Sequence, residues 1–546
     1  MNPLRAFELW LLRVLGLGAI LGYLISLFHP PNLPAAVQDR PYICSIGVSV
    51  FINLLDTLVL YPKFRDPLRN VPMIEGQRNR GQILYESPRG KTALKWMEAK
   101  PDAQLIRTPG TAGLSPFLVA GPDALRDILN THSYDFVKPW GVRAFLARAI
   151  GWGLIMAEGP EHKRQKRVLT PAFHVRRIRE LYTLMWEKTQ LFLEELEKDV
   201  LKHAGEDGFG VIELSEWSSR LTLDIIGPTA MGRDFKSLTS EHNPIADAFI
   251  ELLRPEVRRL FFLSLHFLVP EWIIRRLPLA ENDTLNNIGG YLRNVCSDII
   301  NEKKSDLKKT GDVAEHDILS RIIQTGEFTD EEVSNQMVTF LAAGHETTAS
   351  ALTWACYLCA KYPEIQKKLR AEIQERIPSH EASITHELME SMPYLHGVCE
   401  ETLRLYPTVP ATVREAIQDT TVADYVVPKG TDFLLVPYAI NRHPNWWENP
   451  HMIVPERWID TLEDGTQRPN KSGGTTSNFS ELTFLHGPRA CIGRDFAKAE
   501  LRCAVAGVIG KYEIELHTDE EPRVQGVITM KPEGGMYLRF KPIQGW

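Results

Sequence analysis

From Val14 to Phe28 the chain reads VLGLGAILGYLISLF without a charge, and counted from Leu9 only Arg13 interrupts the apolar run. About twenty residues at ~1.5 Å rise reach roughly the ~30 Å of a hydrocarbon core, so a membrane span over about 9–28 is predicted. Arg13 lies near one end of it, where a long side chain can snorkel to the headgroups. A cleaved signal peptide would need a small-x-small site, but His29-Pro30-Pro31 comes next, so the anchor is read as uncleaved. Gly18 and Gly22 make a GxxxG spacing, but glycine is common in such helices and the motif carries no weight here. A second apolar run, Ile43 to Leu60, contains Asn53 and Asp56 and fits either a second span or a segment lying in the interface. Lys63, Arg65 and Arg69 come next, and positive charge directly after an apolar region favours a cytosolic location for the rest of the chain.

Beyond residue 70 the apolar positions recur with helical period over 122–131, 159–170, 176–200, 286–304, 329–361, 363–376 and 393–405. Strand signals are few: Thr431 to Val436 after the turn Pro428-Lys429-Gly430, and a hairpin on either side of Glu533-Gly534-Gly535. The expected fold class is mainly α with small β-sheets (α+β). There is no internal repeat and no Ser/Gly-rich linker long enough to separate domains; Ser472 to Ser477 is a short loop.

Composition narrows the picture. At 546 residues the length prior would suggest three or four domains, and 44% hydrophobic residues can build a large core. Lys+Arg 62 against Asp+Glu 69 leaves a net charge of -7, which gives no general attraction to nucleic acid. Seven cysteines, an odd number in a long chain, suit a reducing compartment and one special thiol better than a disulfide framework.

That thiol is placed by the segment Phe484-Leu-His-Gly487-Pro-Arg489-Ala-Cys491-Ile-Gly493, which leads into the helical RDFAKAELRCAVAG. A lone cysteine before a helix is usually a small core residue, yet its neighbours suggest more. A helix N-terminus favours the thiolate, which binds a soft metal centre. Gly487 and Gly493 permit tight turns close to a flat ligand. Arg489 offers a charge for a carboxylate, and Phe484 shields the sulfur. The pattern FxxGxRxCxG resembles the haem-binding signature of cytochrome P450 enzymes. The resemblance implies that Cys491 is the axial thiolate of the iron of haem b. Zinc is a weak alternative, since no CxxC or suitably placed histidine accompanies it.

Three further segments extend the resemblance. Ala343-Gly344-His345-Glu346-Thr347-Thr348, on a long helix, is similar to the family's oxygen-activation motif. It implies room for a diatomic ligand at Ala343 and Gly344, and proton delivery by the Glu346 acid and the Thr347 hydroxyl. Read alone, the threonines could simply bond back to i−4 carbonyls. His345-Glu346 does not begin a zinc-protease motif, because position 349 is Ala. Glu401 and Arg404, with Arg457 in Pro455-Glu456-Arg457-Trp458, resemble the ExxR and PERF elements, here ending in Trp rather than Phe. They imply a buried structural network. His162 and Lys166 stand where the family often carries Trp and Arg donating to a haem propionate, and Arg414 is another propionate candidate by resemblance.

The implied fold is the cytochrome P450 fold: an N-terminal anchor over 1–62 and one haem-thiolate domain over 63–546. The implied enzyme is a membrane-bound monooxygenase of a lipophilic small molecule, in the manner of fungal microsomal members that tailor secondary metabolites such as terpenoids or polyketides. A fatty-acid or xenobiotic hydroxylase, or a haem-thiolate enzyme that does not use O2, are the alternatives; Glu346-Thr347 argues against the last. Only residues 492–546 come after Cys491, too few for a flavin module, so an NADPH-dependent cytochrome P450 reductase is the expected electron donor. A basic run, Lys163, Arg164, Lys166, Arg167, Arg176, Arg177 and Arg179, with Arg494 and Lys498, would suit such an acidic partner. The expected pocket is apolar and aromatic, drawn from 136–156 (Trp140, Phe145, Trp152, Leu154), from 260–269 and from 408–412. The 260–269 segment reads equally as a membrane-dipping patch or ordinary core. The expected location is the endoplasmic reticulum membrane, single-pass with a second pass open, the catalytic domain cytosolic. The sequons at Asn282, Asn470 and Asn478 would then stay unmodified.

Overall fold

The computed structural model describes residues 3–28, 34–74, 86–108, 116–240, 242–253, 257–310, 317–526 and 528–546. Helix α1 (Pro3–Phe28) is followed by α2 (Pro41–Leu55), which continues as a wider helical turn to Arg65. Strands β1 (Leu105–Arg107), β2 (Phe117–Val119) and β3 (Phe136–Val137) precede α3 (Trp140–Ile150), α4 (Gly159–Leu169) and α5 (Val175–Lys202). Next come β4 (Gly210–Glu213), α6 (Leu214–Ile226), α7 (Val257–Leu268) and α8 (Ala280–Thr310). The long α9 (Asp330–Lys361), α10 (Pro363–Arg376) and α11 (Pro393–Leu405) lead to β5 (Thr412–Ala416) and β6 (Asp432–Leu435). The chain ends with α12 (Arg494–Lys511), β7 (Tyr512–Leu516), β8 (Val524–Gln525), β9 (Lys531–Pro532) and β10 (Tyr537–Pro542).

Local chemistry sets many of these boundaries. Thr329 and Glu332 form a reciprocal capping box at the start of α9. Proline opens α10 and α11, where its missing N–H costs nothing. Around α9 the helices α6, α8, α11 and α12 pack into one apolar core. Trp354 of α9 stacks on Tyr406, just past α11, at 4.1 Å between ring centroids. A second core lies under a five-stranded sheet ordered β1-β2-β6-β5-β3, in which only the β2–β6 pair is parallel. Tyr438 packs against both cores.

The sheets depart from expectation at the C-terminus. Gly534 and Gly535 do turn the chain, at φ 78° and 96°, but the strands on either side do not pair with each other. Instead β9 pairs with β8, and β10 lies between β7 and β4. Glu213, at the end of β4, accepts the Met536 N–H at 2.8 Å and draws the chain into the other sheet. The Thr431–Val436 signal corresponds to β6, whose centre, Phe433 and Leu434, pairs in parallel with Phe117 and Leu118.

Candidate functional site

The loop before α12 is held in a reversal by its own backbone. The Cys491 N–H donates to the Phe484 carbonyl at 2.9 Å, and Gly487 turns the chain at φ 73°. A Cβ on Gly487 would lie 1.9 Å from the Leu129 carbonyl oxygen, so no other residue fits there. Gly493 occupies the N-cap position of α12, and a Cβ on it would lie 4.0 Å from Cys491 Sγ. All seven cysteines are free, and Cys491 is the exposed one. Yet enough protein surrounds it that burial raises its thiol pKa, against the Gly493 N–H, Arg494 and Lys166, which pull it down. The Gly493 N–H at the start of α12 is among the groups that favour the thiolate, as the sequence reading expects of a helix terminus.

A group of buried cations gathers beside this loop. Arg489 Nη2 lies 2.5 Å from a Glu158 carboxylate oxygen, and its guanidinium stands 5.2 Å from the Tyr134 ring. None of its three nitrogens makes a hydrogen bond of regular geometry despite full burial. Lys138 donates its backbone N–H to Glu158 at 2.9 Å and keeps its ammonium 3.8 Å away. Burial, reinforced by Arg414, Arg489 and Arg143, pushes the Lys138 ammonium down to about 7, with Glu158 opposing. Burial and the Arg489 charge lower Arg414 to about 10. His162, whose Nδ1 lies 3.2 Å from the Tyr134 hydroxyl, is lowered to about 4 by burial first and by the same cations after it. Lys166 is directed to the cysteine loop, donating to the Pro488 carbonyl. Several cations thus face one carboxylate, and Arg489, ion-paired to Glu158 through Nη2, keeps Nε and Nη1 buried with no hydrogen-bond partner. A group carrying two carboxylates and an iron fits this donor set. Neither Lys138 nor Glu158 was identified from the sequence, which offered no periodicity or motif to single them out.

Helix α4 ties this region to α9. Gln165 Oε1 accepts from Gln336 Nε2 at 2.8 Å, and Gln336 Oε1 accepts the Leu154 N–H at 2.9 Å. On α9 the Thr347 hydroxyl donates to the Ala343 carbonyl at 2.8 Å, the local i−4 bond, and both residues are half-buried. Glu346 is buried and pairs through Oε1 with Lys531 of β9, while its Oε2 has no hydrogen-bond partner. The neighbouring His345 bonds Ser219 at 2.8 Å and is pushed down to about 4 by burial. Gly344 faces α6: a Cβ there would lie 2.8 Å from Ile226. The missing side chain at Gly344 thus makes room for a neighbouring helix.

The structural network is larger than its three sequence-identified members. Arg404 grips Glu401 with two bonds, 2.7 and 2.8 Å, and donates to the carbonyls of Asn441, Pro450 and Met452 at 3.0, 2.7 and 2.8 Å. Arg457 Nε lies 3.2 Å from Glu401 Oε1. Trp458, standing where the family motif has Phe, donates its indole N–H to the same oxygen at 2.9 Å. The substitution adds a donor to the network rather than only changing a ring.

The basic run is less bare than the sequence suggested. Arg164 pairs with Glu161 and Glu332, Arg167 with Glu327, Arg177 with Glu180, Arg179 with Glu390, Arg494 with Asp495 and Lys498 with Glu400. Carboxylates neutralise much of it: Glu327, Glu332, Glu390 and Glu400 come from distant segments, and Glu161, Glu180 and Asp495 are sequence neighbours. Of the pocket segments, Trp140 and Trp152 stack at 5.8 Å with the Arg143 guanidinium over both rings. Phe145 is buried against Phe262 and His266 of α7, so the inner face of the 260–269 segment is core, while Phe261 points outward. Asn282 is buried and bonded to Arg148 at 2.7 Å, which makes its sequon uninformative in any compartment; Asn478 is exposed.

A mainly helical fold with a free cysteine before a helix, on a loop whose Arg489 joins a group of buried cations, fits the class of haem-thiolate proteins. Comparison with known proteins gives the family. The model of the cytochrome P450 family matches residues 113–539, and the chain belongs to that family of monooxygenases. It is 35% identical over 507 residues to the cytochrome P450 monooxygenase sphH of Aspergillus fumigatus, covering 90% of this chain and 92% of that one. The monooxygenase FUM15 of Gibberella moniliformis is 33% identical, with 90% and 91% covered. ALT8 of Alternaria alternata is 32% identical, with 89% and 92% covered.

Proposed function

We propose that this enzyme is a membrane-anchored monooxygenase that inserts one atom of O2 into a lipophilic small molecule, in the biosynthesis of a secondary metabolite. The anchor occupies 1–62 and the catalytic domain 63–546, facing the cytosol from the endoplasmic reticulum. Electrons come from an NADPH-dependent cytochrome P450 reductase. The observation that carries the reading is the excess of buried cations around Glu158, directly beside the Cys491 loop.

In this reading Cys491 would bind the iron of haem b, and Arg489, Arg414, His162 and Lys166 would hold its propionates, with Lys138 adding to them. The group supplies, when bound, the iron at which O2 is activated. Arg489 would exchange Glu158 for a propionate or share it, which satisfies its orphaned nitrogens. Gly487 and Gly493 let the backbone approach the ring, and Phe484 keeps water from the sulfur. Thr347 holds a hydroxyl, and Glu346 an ionisable group, one turn from Ala343 on α9. A threonine hydroxyl both accepts and donates, so Thr347 can pass a proton inward once its bond to the Ala343 carbonyl opens. Glu401, Arg404 and Arg457 have no proton to deliver here; they hold the core that carries the cysteine loop. The aromatic and aliphatic side chains of 136–156 and 408–412 exclude water and favour an apolar substrate.

The test is spectroscopic. The reduced, CO-bound protein is expected to show the Soret band of a thiolate ligand, and Cys491→Ala to lose it; its retention in the variant refutes the ligand assignment. Thr347→Ala should lower product formed per NADPH and raise peroxide release, and unchanged coupling removes Thr347 from proton delivery.

A further inference from the structure

Helices α1 and α2 pack against each other through the small residues of both. Val14, Gly18 and Gly22 form the buried stripe of α1, at i, i+4 spacing, and Ser45 and Ser49 the buried stripe of α2. A Cβ on Gly18 would lie 2.8 Å from the Ile46 side chain, and one on Gly22 would lie 2.6 Å from the Tyr42 ring. The Ser49 hydroxyl donates to the Val14 carbonyl at 2.9 Å, and the Asn53 amide to the Ser49 carbonyl at 2.9 Å. The GxxxG spacing that carried no weight in the sequence is therefore the contact surface of an intramolecular helix pair.

This packing decides what α2 is. A helix lying in the membrane interface keeps a polar face toward water. The serines of α2 face α1 instead, and Asn53 bonds its own helix. Its outer surface is apolar, with Ile43 and Phe51 66% and 65% exposed, as are Leu12, Ile20, Leu27 and Phe28 around α1. The apolar stretch of α1, Trp10–Phe28, has 19 residues, about 28 Å at 1.5 Å each. The α-helical part of the second segment, Pro41–Leu55, has 15 residues, about 22 Å, and the wider helix that begins at Asp56 carries the apolar run on to Leu60, against the ~27 Å of a thin endoplasmic reticulum bilayer.

We infer that α1 and α2 cross the bilayer together as a helical hairpin, so that the residues before α1 lie on the same side as the catalytic domain. The inference rests on the membrane-anchored reading above and changes its topology. With a single span those residues would lie opposite the catalytic domain. Charge supports the hairpin: its open end carries Arg5, Lys63, Arg65 and Arg69, with Asp56 paired to Arg65. The connection over 29–40 carries Arg40 alone, next to Asp39. Positive charge is retained on the cytosolic side, which puts the open end and the catalytic domain there and the connection in the lumen.

The experiment uses the full chain in microsomes, with a glycosylation acceptor either fused ahead of Met1 or inserted, within a flexible loop, between Pro31 and Asn32. The hairpin is expected to give a glycosylated insert and an unmodified N-terminal tag. A glycosylated N-terminal tag, or an unmodified insert, overturns it. Carbonate extraction separates this from the reading beneath it. Release of the full chain refutes the anchor and the hairpin together, whereas retention with a glycosylated N-terminal tag overturns the hairpin and leaves the anchor standing.

Discussion

Lys531, on the short C-terminal strand β9, extends its ammonium to the buried carboxylate of Glu346 in the middle of α9. The strand is pinned in place next door: the Met530 carbonyl accepts from the Ser350 hydroxyl at 2.6 Å and from the Trp354 indole at 3.1 Å, and the Met530 N–H donates to Thr408 at 2.8 Å. Glu346 therefore has its charge balanced by a residue 185 positions further along the chain. Lys531→Met would leave that carboxylate buried without its cation, at a cost of about 1.5–3 kcal/mol. Thermal unfolding should show the loss, and product per NADPH should fall several-fold, while Lys531→Arg preserves both.

Trp458 contributes one of the donors that satisfy Glu401, together with Arg404, Arg457 and the Val454 N–H at 2.9 Å. Trp458→Phe removes one hydrogen bond to a charged group and should cost about 1.5–3 kcal/mol in denaturant unfolding. Arg404→Lys should cost more, about 3–5 kcal/mol, because an ammonium lacks the fork that reaches Glu401 and three carbonyls at once. Equal losses in the two variants would contradict this ranking.

His345 and His443 are both buried and held near a pKa of about 4 by burial, against an ordinary 6.5. Between about pH 4 and 6.5 the unfolded chain binds protons at these rings and the folded chain does not. Stability therefore rises with pH through that window and falls on acidification, by up to about 3 kcal/mol for each ring. Glu500, whose carboxyl is raised well above 4.5 by burial, pulls the opposite way above that pH, so parent and variant must be compared pH by pH. His345→Gln should flatten the acid-side slope of Tm, and an unchanged slope would count against the assignment.

Gly487→Ala places a methyl group against the Leu129 carbonyl at a backbone angle that L-residues rarely adopt. The strain is of the order of 1–3 kcal/mol before the steric clash is added. Haem content per protein, read by absorbance, should drop several-fold in the purified variant. Gly474→Ala, at a positive φ of 79° but with open space around it, provides the comparison and should retain its haem.

Much of the candidate chemistry could be proposed from the sequence because it rests on short spacings. The cysteine loop, the Glu346-Thr347 pair and the Glu401–Arg404 turn each lie within ten residues, and a helix or a tight loop places such neighbours without help from the rest of the fold. The helical periods and the apolar N-terminus were equally local. Tertiary structure decided whatever depends on segments that meet from afar. It put Glu158 and Lys138 among the buried cations, brought Lys531 to Glu346, paired Arg164, Arg167, Arg179 and Lys498 with carboxylates from distant segments, and sent β9 and β10 into different sheets. It also turned a weightless GxxxG into the seam between α1 and α2. The physical reason is the same in each case: desolvation and close packing act on what lies within a few ångströms, and sequence distance carries no record of that for side chains brought together by folding.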